Sequence, residues 1–236
     1  MSSIPIPYLV SLGPGAGLYS QGTGSIAIGQ NSGSTGLGFN AIAIGTNAGS
    51  SSEGTGAVAI GWNAGYTGQG QYSVAFGNNA AYNGQGPYSV AIGTNAGSNS
   101  QDNASVAIGY NAGFSNQSTT SIAIGPSAGY NDQAEGAIAI GSNAGYTGQG
   151  AYSIAIGTNA GLQGTYAGSI ILNATSGNVS SIASGFFVAP VRLDVGTKYA
   201  VYDSSTNEIG YNTTLQATST MFITSNVSID PINPIA

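Results

Sequence analysis

Apolar and small residues alternate along this chain on a strict clock of 16 residues. The stretch SIAIGTNAG at 153–161 returns upstream as AIAIGSNAG at 137, SIAIGPSAG at 121, SVAIGYNAG at 105 and SVAIGTNAG at 89. Before these come SVAFGNNAA at 73, AVAIGWNAG at 57, AIAIGTNAG at 41 and SIAIGQNSG at 25. LVSLGPGAG at 9 and SIILNATSG at 169 are diverged copies in the same register, which makes eleven units over residues 9–184. A fixed period of this length is the mark of a solenoid in which each unit stacks on the last.

Within a unit, position 1 is Ser or Ala, position 2 Ile or Val, position 3 Ala, position 4 Ile or Phe, and position 5 Gly. Four alternating residues predict a short strand, with positions 2 and 4 on one face and 1 and 3 on the other. Gly at position 5 permits a corner that β-branched residues resist. Position 7 is Asn in most units, from Asn31 to Asn159, and Asn suits a left-handed turn. Asn stacked at one phase also predicts a hydrogen-bonded ladder along the rod. Position 13 is Gln from Gln69 to Gln149 and predicts a second ladder.

No unit carries a helical apolar stripe, and glycine recurs within the units, so helix is excluded. The fold expected is all-β: a parallel β-solenoid, or β-roll, of about eleven 16-residue coils over 9–184. Residues 1–8, with Pro5 and Pro7, are expected to form an extended N-terminal arm, and 185–236 a small C-terminal β cap. Hydrophobicity assigns the Ile and Val of positions 2 and 4 to the core. That core is thin, with about two large side chains per coil against the backbone entropy of 16 residues. The opposite face, Ala at position 3 with Ser or Ala at position 1, is smooth. Side-by-side association of identical rods along it is the expected remedy.

Composition narrows the chemistry. Of 236 residues only 4% are charged, the net charge is −6, and Arg192 and Lys198 are the two basic residues. Tracking of phosphates on a nucleic acid is therefore excluded. The absence of His and Cys removes the commonest general base and the thiolate metal sites. No segment reaches the apolar length that spans a membrane, and MSSIPIPYLV lacks the basic start of a secretory signal. Asp203 with Glu208, and Asp132 with Glu135, flank or occupy turns, where solvated or capping roles outweigh catalysis or calcium binding. No enzymatic activity, cofactor or metal is expected.

The tandem S-[VI]-A-I-G-x-N-A motif resembles the head repeat of trimeric autotransporter adhesins. That resemblance implies a left-handed parallel β-roll assembled as a homotrimer. With the smooth face as its contact, it puts Ala27, Ala43, Ala59, Ala75, Ala91, Ala107, Ala123, Ala139 and Ala155 at the threefold interface. The repeat breaks after Ser184. The segment GFFVAPVRLDVGTKYAVYDSSTNEIGY reads as strands with a turn at DSSTN. It is similar to modules that close repeat fibres in large DNA viruses and phages, which implies a virion surface. An extracellular or cell-surface location is the alternative.

Turn aromatics are the variable feature on which a binding role is expected. Tyr66, Tyr82, Tyr130 and Tyr146 recur at position 10, with Phe114 among them, and Tyr72, Tyr88 and Tyr152 at position 16. Beside Gln and Asn they suit a glycan or protein contact, though rings filling a corner would look the same. The function expected is a non-enzymatic, trimeric fibre or spike head. Its partners are other copies of itself and a host-surface glycan or protein, with no nucleic acid and no membrane insertion. A structural filament or decoration protein without a ligand is the alternative. An ice-binding solenoid is a third class, and position 6, running Gln30, Thr46, Trp62, Asn78, Thr94, Tyr110, shows no threonine array to support it.

Overall fold

The structure, a computed structural model, describes residues 8–190, 199–203, 205–206 and 208–212. It has two units, 1–191 and 192–236. The first is a parallel β-solenoid with one 16-residue repeat per coil. Strands at positions 2–4 stack into a 12-stranded sheet from Val10–Leu12 to Phe186–Ala189. The register is constant: Ala91 pairs with Ala75 on one side and with Ala107 on the other.

Most coils also contain a second strand, at positions 11–13. Seven of these, from Thr35–Leu37 to Asn131–Gln133, form a second parallel sheet. The alternation at positions 1–5 gives no hint of it, because TGQ, NGQ and NSQ are not strand-like sequences. They become strands by pairing with copies of themselves one coil away. The middle residue is in the left-handed region, as at Ser100 (φ 57°) and Asn116 (φ 56°).

The alternation of the first strand is as expected, but its inside and outside are exchanged. Ala27, Ala43, Ala59, Ala75, Ala91, Ala107, Ala123, Ala139 and Ala155 are all 0% exposed within a single chain. They line the roll's own interior, so they are not available to a threefold interface. The Ile and Val of positions 2 and 4 lie outward, half-buried or exposed, with Phe76 at 51% and Ile92 at 37%.

The reason is steric. Two three-residue strands and two tight corners enclose a narrow lumen with little room behind the glycine of position 9. A methyl group added at Gly97 would lie 2.8 Å from Gln101 Cδ and 3.2 Å from Ala91 Cβ. The interior is therefore filled by Ala at positions 3 and 8, Ser or Ala at position 1, and the flat Gln of position 13. Buried Ser hydroxyls donate to the carbonyl three residues back, as Ser105 does to Asp102 (2.7 Å).

The predicted glycine corners and the Asn ladder are present. Gly93 has φ 124°, and a Cβ there would sit 2.7 Å from the Gly109 carbonyl oxygen, so this column needs glycine for both conformation and closeness. Asn31, Asn47, Asn63, Asn79, Asn95 and Asn111 all have φ near +55°, and each of the first five donates its side-chain amide to the side-chain carbonyl of the next along the rod at 3.0–3.4 Å. Asn143 to Asn159 continues the line (3.2 Å), with Ser127 interrupting it at φ 55°. Ser127→Asn should join the two ladders and raise stability by about 1 kcal/mol, read as a shift in the urea midpoint.

Gln side chains mostly cross the lumen rather than stack. Gln101 Nε2 donates to Val90 O (2.9 Å) and Ser105 O (3.3 Å), stitching the second sheet to the first. Direct Gln–Gln bonds occur from Gln85 to Gln101 (3.1 Å) and from Gln133 to Gln149 (3.2 Å).

The roll also runs past the expected boundary. Phe186–Ala189, assigned from sequence to the cap, pairs in register with Ile170–Asn173 as the last strand of the first sheet. Phe187 there takes the inward position and packs on the core. In the second unit, Tyr199–Asp203 and Glu208–Asn212 pair antiparallel, which is the hairpin expected around DSSTN, with Asp203 opposite Glu208. The proposed arm over residues 1–7 and the tail after Asn212 lie outside the described residues.

Candidate interaction surface

Three outward features follow from the coil. The first is the outer face of the first sheet, two parallel files of Ile, Val and Phe running the length of the rod. No described residue covers it. Such a continuous apolar face is rare on a protein that works as a monomer.

The second is a shallow polar trough along the second sheet. Its lining alternates Gly68, Gly84, Ser100 and Asn116 with Gly86, Asp102 and Ser118, around a volume of about 420 Å³. Asp102 and Asp132 are tied into it by neighbours one coil away. Thr119 donates to Asp102 (2.9 Å) and Asn116 to Asp132 (2.8 Å). No cluster of three metal-binding side chains occurs among the described residues.

The third is aromatic. The seven candidate tyrosines fall into two separate files on either side of the second sheet. At position 10, Tyr66 stacks on Tyr82 (5.0 Å, 6°), and Phe114, Tyr130 and Tyr146 form a run at 5.0 and 4.8 Å. These rings are half-buried. At position 16, Tyr72 stacks on Tyr88 (5.7 Å, 20°), and both are more than half exposed. Tyr152 stands apart in this file. Its hydroxyl donates to Glu135, and that bond, then the carboxylate's negative charge, raises the phenol above its ordinary value. Tyr72, Tyr88 and Tyr152 hold left-handed φ of 54–59°. Asn40, Ala104 and Thr120 hold the same conformation at this position (φ 52–56°), so it belongs to the coil.

Glu53 is a site that reading by residue type passed over. It occupies the position-13 column, between Leu37 and Gln69. It is 4% exposed, and neither carboxyl oxygen has a partner. Burial alone pushes its pKa up to about 9. The signal in the sequence was a Glu at the phase that the next six units fill with Gln.

Stacked coils, outward Ile files and an Asn ladder define a β-solenoid repeat protein. Residues 20–48, 37–64, 85–112 and 149–160 match the YadA head domain repeat. No curated protein and no solved structure matches the chain.

Proposed function

We propose that this chain is the head of a homotrimeric surface fibre that displays its second sheet and tyrosine files to a host-surface protein or glycan. The observation that carries the reading is the uncovered apolar face of the first sheet. Ile, Val and Phe held outward along the sheet, with Ala behind them in nine successive strands, need a second apolar surface. Identical chains supply one, and cyclic closure leaves no lateral edge for open-ended growth. The threefold interface thus consists of positions 2 and 4, not of the alanines. Each outward tyrosine then appears three times, so contacts too weak singly add up by avidity.

The YadA head repeat match supports an extracellular, surface-exposed location. The likeness of GFFVAPVR and its hairpin to fibre-closing modules supports a virion as the particle that carries it, with a cell surface as the alternative.

Sedimentation of the purified protein tests the assembly. The wild type should run at the mass of three chains. Ile92→Glu with Ile108→Glu should dissociate it, because charges would be buried without partners. A stable wild-type monomer, or a double variant that stays trimeric, overturns the reading.

A further inference from the structure

The position-10 file of stacked rings is broken at one coil. Tyr66 and Tyr82 stack below the break, and Phe114, Tyr130 and Tyr146 above it. Between them the same position holds Ser98, which is 6% exposed. Rings in the intact runs lie 4.8–5.0 Å apart and within 6° of parallel. Two coil steps at about 4.8 Å each therefore put Tyr82 and Phe114 about 10 Å apart. That spacing is what one further ring, stacked on both, requires. The chain forms a cavity there of about 460 Å³, with Tyr82 and Phe114 as walls, Ser98 as floor and Asn79, Asn95 and Asn99 on the rim.

We infer that this slot binds one planar aromatic ring, the side chain of a Tyr, Trp or Phe presented by a partner protein. The spacing decides the class. A flat ring continues the stack at the distance the neighbouring coils already use. The walls supply two π faces, one on each side of the slot. The rim supplies polar partners for a phenol or indole edge. Asn79 and Asn95 each commit one amide hydrogen to the ladder, which leaves the other to meet an incoming hydroxyl. The inference deepens the display reading and rests on it only in taking this face as free in the assembly.

Ligand-observed saturation-transfer NMR on the whole protein tests it, with p-cresol and indole as probes and methyl glucoside and methyl galactoside as contrasts. The aromatic probes should receive saturation from wild type and from Ser98→Ala, which keeps the slot open. Ser98→Tyr, which completes the stack from within, should weaken their binding about tenfold. Phe114→Ala, which removes a wall, should do the same. Sedimentation should not change in any of these variants, so failure of the slot is separable from failure of the trimer. Equal transfer to Ser98→Tyr and wild type overturns the inference. So does transfer to the glycosides alone. Should Ser98→Tyr not fold, Phe114→Ala against Ser98→Ala decides alone.

Discussion

Replacing Glu53 with Gln should raise stability at pH 7 by on the order of 3 kcal/mol and remove most of its dependence on pH. Glu53 stands where neighbouring coils place Gln, and both of its oxygens are buried without partners. Gln69, one coil on, shows what the amide gains: Nε2 donates to Val58 O (2.9 Å) and Ser73 O (3.4 Å). The equivalent acceptors for residue 53 are the carbonyls of Ile42 and Ala57. The sign follows from where the proton sits. Below about pH 4.5 the carboxyl is neutral folded and unfolded, and burial carries no penalty. Between there and about pH 9 the unfolded chain ionises while the folded one keeps its proton, so stability falls as pH rises. Above that range both forms are ionised and the loss is complete. Urea denaturation at pH 5, 7 and 9, at fixed chain concentration, checks this. Curves for the variant and wild type that stay parallel across the range would show that Glu53 is not the cause.

The same column shows what the sequence made legible. Period, coil length and strand phase were all readable, because a residue that must stack on its own copy is held to one type. The glycine corner at position 5 and the Asn ladder were readable for the same reason. The second sheet was not, since Asn-Gly-Gln and Thr-Gly-Gln become strands only through pairing between coils. The inside of the roll was misread because hydrophobicity was ranked above size. Ala at position 3 through nine successive units, with mostly Ala at 8 and Gly at 9, was a record of a lumen with little room at those phases. Ile and Val beside it face outward from the chain. The tyrosine files were visible as phases, but the break at Ser98 becomes a cavity only when the coils are stacked. Glu53 was visible as a letter out of place, and only its burial shows the consequence.

The exchange of inside and outside makes a second strong prediction, in which volume must be conserved across the lumen. The last coils of the roll trade one filler for another. At position 13 Gln gives way to Thr165, and one coil on, position 3 grows from Ala to Ile171, which is fully buried. Both crowd the same glycine: a methyl at Gly161 would touch Thr165 Cγ2 and lie 3.5 Å from Ile171 Cδ1. Gln101 and Ala107 hold the corresponding places in mid-roll, where Gly97 is the glycine between coils. Ala107→Ile alone should cost about 3 kcal/mol by overpacking. Gln101→Thr alone should cost about 2 kcal/mol through its lost hydrogen bonds and the space left. Together they reproduce the Thr165–Ile171 pair, down to a hydroxyl for Ser89 to meet as Ser153 meets Thr165 at 2.8 Å. The double variant should therefore lose about 2 kcal/mol less than the sum of the two. A double-mutant cycle from urea midpoints gives the number. Strict additivity would mean that the two positions do not share the lumen.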